Sequence, residues 1–176
     1  MAIASSIDLS SIADALAAHG VAYVLVGSAA ASLHGAGREA PDIDIVVEWS
    51  TANLARLDAT TAGLGARRSD DGDWDYGRPS GLIGEVRRWW TPAGRIDAFD
   101  GQPAGRSYRR YRALAADATG VAYDGREIPV AELQAVIAAK TWRGSWSDRA
   151  AITELEALLP AINTRRIERE SATSFR

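Results

Sequence analysis

The stretch that most limits the fold of this chain is residues 21–48, VAYVLVGSAAASLHGAGREAPDIDIVVE. Its run Val24-Leu25-Val26 is apolar in the manner of a buried strand, and Gly27 permits a sharp turn into a helical stretch from Ala29 to Leu33. A second strand follows from Asp42 to Glu48. Side chains alternate along a strand, so Asp42 and Asp44 share one face while Ile43 and Ile45 take the other. Two carboxylates this close repel unless positive charge lies between them. A hard divalent cation such as Mg²⁺, its shell completed by phosphate oxygens, meets that need. Ser28 adds a hydroxyl donor to the unpaired N–H groups of a helix start, which favour phosphate. Taken singly, Ser28 reads as an N-cap and the aspartates as turn residues near Pro41. In this order and spacing they read as a phosphate cradle facing a metal site.

The rest of the chain must house that unit. Its 176 residues suffice for one domain with a real core. Residues 1–165 are assigned to a single domain, with a core of about 20–105 and a C-terminal hairpin and helices at about 120–160. Residues 166–176 are a polar tail. The chain lacks cysteine, which excludes disulfides and thiolate chemistry and suits a reducing cytoplasm. No apolar run is long enough to span a bilayer, and MAIASSIDLS lacks the basic start and apolar core of a signal peptide. The expected location is cytoplasmic, with no membrane partner. A net charge of −3 means that a polyanion must be met by a local patch. Basic residues are nineteen Arg and one Lys, Lys140, which singles that lysine out.

In chain order, Ser11 to His19 reads as a first helix, with Ser11 and Asp14 at capping-box spacing and Ile12, Ala15 and Leu16 inward. Gly35 to Arg38 is a flexible connection whose arginine can neutralise phosphate or pair with a carboxylate. Thr51 to Leu64 is helical, capped by Ser50 or Thr51, with Leu54, Leu57 and Ala62 apolar. Strand, helix, strand, helix argues for layers of helices against a sheet. Residues 69–81 form an acidic surface loop, and Trp74 and Tyr76 within it offer rings for a base. It fails the calcium-loop pattern for want of the later Glu.

Glu85 to Thr91 and Arg95 to Phe99 read as a hairpin around Pro92-Ala93-Gly94. Arg95, Asp97 and Phe99 share a face, and Asp97 is a carboxylate between Ile96 and Ala98 in an apolar strand. A salt bridge to Arg95 or Arg88 is one account of it. Asp100-Gly101 is a plain turn signal. Residues 106–112 interleave Arg and Tyr, either as a nucleic-acid track or as a solvated segment with its tyrosines packed inward. Val121 to Val130 is a second hairpin around Asp124-Gly125, leading into a helix from Ala131 to Trp142 that Gly144 ends. A last helix runs from Ser147 to Leu159.

Gly27-Ser28, a gap, and Asp42-Ile43-Asp44 resemble the signature of the nucleotidyltransferase superfamily related to DNA polymerase β, and most closely its minimal and AbiEii-like members, many of them toxins of toxin–antitoxin pairs. His34-Gly35 and Arg38 fit the same pattern, while Ala40 stands where the family often has Thr. The resemblance implies an α+β nucleotidyltransferase fold, a mixed sheet flanked by helices with a small C-terminal helical portion. It implies that Asp97 is the third acid, joining Asp42 and Asp44 in a site for two Mg²⁺ ions, with Mn²⁺ an alternative. It places Gly27, Ser28, Arg38, Lys140 and Asp148 at the nucleotide, with Lys140 also steadying charge in the reaction. Asp148 also reads simply as a favourable charge at its own helix start. The implied activity is transfer of a nucleoside monophosphate from an NTP to a hydroxyl acceptor. The acceptors to weigh are tRNA or other RNA, a partner protein, and a small molecule of the antibiotic kind. A cognate antitoxin is an expected partner under the toxin reading, and a non-catalytic nucleotide- or partner-binding module is the rival from another class.

Overall fold

The computed structural model describes residues 7–37, 39–68, 84–105, 107–145 and 148–160. The opening stretch is realised as β1 (Tyr23–Val26), α2 (Gly27–Leu33) and β2 (Ile43–Val47), preceded by α1 (Leu9–Ala18). Then come α3 (Thr51–Gly63), β3 (Arg67–Arg68), and the hairpin β4 (Val86–Thr91) and β5 (Gly94–Phe99). A small hairpin, β6 (Gly101–Ala104) and β7 (Ser107–Arg110), leads into α4 (Tyr111–Asp117). The chain finishes with β8 (Thr119–Tyr123), β9 (Arg126–Val130), α5 (Leu133–Arg143) and a helix over 148–160, here α6.

Seven strands form one mixed sheet in the order β3-β4-β5-β2-β1-β9-β8, and β6–β7 stand apart as a two-stranded sheet. β2 lies near the centre, antiparallel to β1 and parallel to β5. Central strands covered on both faces need apolar side chains on both. Val24, Leu25, Ile43, Ile45, Val46, Val47, Ile96 and Ala98 are accordingly buried. α1 packs against α3 and β9, whereas α2 packs against β1, β2 and α5. This is the α+β architecture, a mixed sheet flanked by helices, expected from the sequence. Among the described residues no helix is long and apolar enough to cross a membrane.

Several local expectations shift. α1 starts two residues early because Asp8, not Ser11, is the cap: its carboxylate accepts from the Ser11 N–H at 3.0 Å. Asp14 instead pairs with Arg126 across to the β8–β9 hairpin. In α3, Ser50 caps as expected, but Ala62 is exposed. The inner face is completed by Asn53, Thr60 and Thr61, polar residues that are hydrogen-bonded. Asn53 donates to the carbonyls of Ala22 and Glu48 and accepts from the Ala22 N–H, tying α3 to the ends of β1 and β2. α5 begins after Glu132 because Ala131 still donates to the Leu25 carbonyl at 2.9 Å, continuing the sheet. Gly144 ends it at φ +65°, a left-handed cap.

Candidate active site

Two chain segments deliver one acidic cluster. Asp42 lies at the entry to β2, Asp44 within it, and Asp97 within β5. The β2–β5 register sets Asp44 directly beside Asp97, while the β1–β2 register sets Asp44 beside Val26. One oxygen from each of the three carboxylates lies within 4.8 Å of the others. Asp42 and Asp97 are buried, and Asp44 keeps a window to solvent although protein surrounds it closely. Burial, then the neighbouring Asp97 charge, push the Asp44 carboxyl up to about 7, against the pull of Arg143, Lys140 and Arg88.

The turn before α2 explains how Asp44 fits. Gly27 adopts φ +67° and packs its bare Cα on Asp44; a Cβ there would meet the carboxylate and come within 2.8 Å of Asp44 Cβ and Cγ. The glycine is therefore required twice, for its left-handed backbone and for the space it leaves. Val26 precedes α2 without a side-chain cap. Ser28, the second residue of α2, presents its hydroxyl 3.5 Å from Lys140 Nζ. His34 closes the same helix onto the sheet, Nε2 donating to the Ala131 carbonyl at 2.8 Å.

Lys140 is only 4% exposed, and its Nζ lies 3.3 Å from Asp148 Oδ1. Burial and the nearby Arg143 charge lower its pKa, while Asp148 and Asp44 act against them. Asp148 is itself buried. Burial alone would raise its carboxyl. Hydrogen bonds from Arg143 Nε and Nη2, both at 2.7 Å, and from Ser145 Oγ overcome that and hold it well below the usual carboxylate range. Asp148 thus does more than favour its helix start: it joins Lys140 to Arg143 across the α5–α6 turn.

The opposite flank carries counter-ions. Arg88 on β4 sits in register with Asp97 and makes a two-pronged bond to it, Nε at 2.8 Å and Nη2 at 2.7 Å. Arg95 pairs with Asp42, and its Nε lies 3.6 Å from Asp97 Oδ1. The Arg95 guanidinium also stands over the Trp90 ring, 5.6 Å from its centroid. The salt-bridge account of Asp97 is therefore correct as geometry, and it coexists with the three-carboxylate cluster. Guanidinium groups seated on these oxygens mark them as positions that take positive charge, and an all-oxygen donor set of this size suits Mg²⁺ or Mn²⁺.

The structure brings together Gly27, Ser28, Asp42, Asp44, Asp97, Lys140 and Asp148. Arg38, the acidic loop with Trp74 and Tyr76, Ser147, and the polar tail lie outside the described residues. The Arg–Tyr stretch belongs elsewhere: Tyr108, Arg110, Tyr111 and Arg112 line a cavity of about 510 Å³ with Trp49 and Asp100, at the far ends of β2 and β5. Tyr108 donates to Asp100 at 2.6 Å and Arg110 pairs with it at 3.0 Å. Asp100 is thus a buried, bonded residue and not a plain turn residue. Reasoning from sequence named Arg88 and Arg95 only as alternative partners of Asp97 and passed over Trp90. Alternation along β4 and β5 could have placed all three on one face with Asp97.

No protein-family model matches this chain, and no curated protein matches it. Solved structures do. The lincosamide antibiotic adenylyltransferase LnuA, solved with lincomycin bound, superposes with a TM-score of 0.62 at 14% identity, over 88% of this chain and 99% of that one. The antibiotic-resistance factor ANT(2'')-Ia, in its solution structure, gives 0.55 at 17% identity over 96% of both chains. TM1012 from Thermotoga maritima, a candidate nucleotidyltransferase, gives 0.52 at 17% identity, over 92% and 91%. The chain has the nucleotidyltransferase fold.

Proposed function

We propose that the chain is a metal-dependent nucleotidyltransferase. The acceptor hydroxyl oxygen forms a bond to the α-phosphorus of an NTP, the bond from that phosphorus to the bridging oxygen breaks, and pyrophosphate leaves. The observation that carries this reading is the meeting of Asp42 and Asp44 with Asp97, from two separate strands, with Asp44 against the bare Cα of Gly27. Asp42, Asp44 and Asp97 would hold Mg²⁺, which when bound supplies charge at the polyphosphate and acidifies the attacking hydroxyl. Ser28 and Lys140, on the β1 side of β2, bind and orient the departing phosphates. Asp148 positions Lys140, with Arg143 and Ser145 holding it from the other side. Asp97, on the β5 side, faces the acceptor and takes its proton or shares in polarising it. The remaining work is positioning, as in other phosphoryl-type transfers.

The acceptor divides this reading. A toxin acting on tRNA, other RNA or a partner protein, with a cognate antitoxin and a cytoplasmic setting, follows from the sequence resemblance. A small-molecule acceptor of the antibiotic kind is favoured by a specific observation, the likeness to LnuA and ANT(2'')-Ia over nearly their whole lengths. A module that only binds nucleotide sits poorly with an intact acidic triad. Incubation with Mg²⁺ and each labelled NTP, with cell extract or a panel of aminoglycosides and lincosamides as acceptor, separates these. Label on RNA, protein or drug assigns the acceptor. Nucleotide bound with no transfer in any mixture, and no dependence on Asp42, would return the chain to the binding class.

A further inference from the structure

We propose that Arg95, backed by Trp90, is a specificity-determining residue that selects a nucleotide-like acceptor, a hydroxyl carried beside a phosphate and a planar ring, and excludes polycations. The inference rests on the nucleotidyl-transfer reading and narrows its acceptor. Sheet order supplies the first step. Ser28 follows β1 and Lys140 lies on α5, so both stand on one side of β2. Asp97, Arg95 and Trp90 lie on β5 and β4, on the other side. If Ser28 and Lys140 take the polyphosphate, in-line attack brings the acceptor from the β4–β5 side.

That side is cationic and aromatic. Arg95 pairs with Asp42, but its buried Nε has no hydrogen-bond partner among the described residues and lies 3.6 Å from Asp97. A metal ion held by Asp42 would compete with the guanidinium for that carboxylate. Arg95 would then have donors to satisfy, on a ring that limits how far it strays. A phosphate on the acceptor satisfies them. Trp90 is 51% exposed although tryptophan is usually covered, and it borders a cavity of about 270 Å³ together with Gly65, Arg67, Thr91 and Pro92. Arg67 is its register partner across β3–β4. An exposed ring flanked by Arg95 and Arg67 suits a base joined to phosphate, by stacking and charge together. A polyamine would add positive charge where arginines already stand. Tobramycin, whose adenylyl-2'' adduct was solved with the structural neighbour ANT(2'')-Ia, is such a polyamine.

The test uses the full chain with Mg²⁺ and saturating α,β-methylene ATP, which fills the donor site without transfer. Binding of a labelled oligoribonucleotide with a free 3′ hydroxyl is read by fluorescence anisotropy, with tobramycin and a free nucleoside monophosphate as competitors. The oligoribonucleotide is expected to bind and tobramycin to leave it in place. Competition by the monophosphate would assign a small nucleotide as acceptor; failure to compete would assign a strand end. Arg95→Gln and Trp90→Ala should each weaken oligoribonucleotide binding about tenfold, with Arg95→Lys restoring part of the loss and calorimetric affinity for Mg²⁺ and the ATP analogue undiminished. Displacement by tobramycin, or an Arg95→Gln loss that falls on the ATP analogue, overturns the inference. An ATP analogue that binds while neither oligoribonucleotide nor monophosphate does overturns it and leaves nucleotidyl transfer standing. Failure of the analogue itself to bind would remove both.

Discussion

Asp44 and Asp97 face each other in direct register across the parallel β2–β5 pair, so two acids share one patch of sheet at the edge of the core. Burial and that neighbour lift the Asp44 carboxyl to about 7. The folded chain thus keeps a proton there that the unfolded chain has lost, in the window between about pH 4 and about pH 7. Stability of the metal-free protein is expected to be full below that window and to fall as pH rises through 7. Asp44→Asn removes the ionisation and should raise the metal-free melting temperature at pH 8 by several degrees, with a clearly smaller gain at pH 5. Thermal melts in EDTA at the two pH values measure this. A flat pH response in the wild-type chain would contradict it.

Under the proposed metal site, the same titration would govern metal uptake. A cation binds the ionised carboxylate, so its uptake must release the Asp44 proton below pH 7. Affinity for Mn²⁺, followed by electron paramagnetic resonance, should rise by about tenfold per pH unit below 7 and level off above it. Mg²⁺ should raise the melting temperature more at pH 8 than at pH 5.5. Asp42→Asn is expected to abolish transfer and most of the metal-induced shift; the fold should persist, since Asp42 lies at the strand entry and outside the β2 ladder, with some stability lost through the broken Arg95 pair.

How much of this was legible beforehand depended on whether the signal was local. The β1-turn-α2-β2 unit is local: an apolar run, a glycine and alternating acids announce it, and the structure places each where alternation requires. The two hairpins are equally local, marked by Pro92-Ala93-Gly94 and by Asp124-Gly125 at φ +48° and +75°. The stretch from Gly101 to Asp117 was not legible as a small hairpin and helix. Its strands are four residues long, and its pattern is charge alternating with tyrosine, which a solvated segment also shows. The Arg88–Asp97 and Arg95–Asp42 pairs were missed as defining features because they depend on strand register, which turn geometry and the core set jointly. Asp8 was overlooked as a cap because Ser11 also fits the rule.

Gly27→Ala isolates the turn. The substitution sets a side chain at φ +67°, which costs about 1–2 kcal/mol for an ordinary residue, and it drives a methyl group into Asp44. Both stability and metal binding should fall, and the loss in Mn²⁺ affinity should exceed that of a strained glycine far from the acids. Gly125→Ala supplies that control, since a Cβ at its φ +75° meets nothing within 4 Å. Equal behaviour of the two variants would deny Gly27 any role beyond its backbone.

Lys140 and Asp148 form a buried ion pair, and under the proposed mechanism the lysine works on substrate while the aspartate works on the lysine. Removing Lys140 still leaves Asp148 two bonds from Arg143 and one from Ser145, so its charge stays compensated. Lys140→Met should therefore melt within a few degrees of the wild type and lose about 100-fold or more in turnover, the scale seen when a donor to developing charge is deleted. Asp148→Asn inverts the order. It leaves Lys140 and Arg143 side by side with only an amide between them, and breaking a buried pair from one side costs about 3–5 kcal/mol. Its stability should drop sharply, and its turnover should fall through a displaced Lys140. Melts read beside single-turnover rates decide the matter. A Lys140→Met protein that unfolds early yet transfers normally would make the lysine structural, and the polyphosphate would need another partner on the β1 side of the sheet.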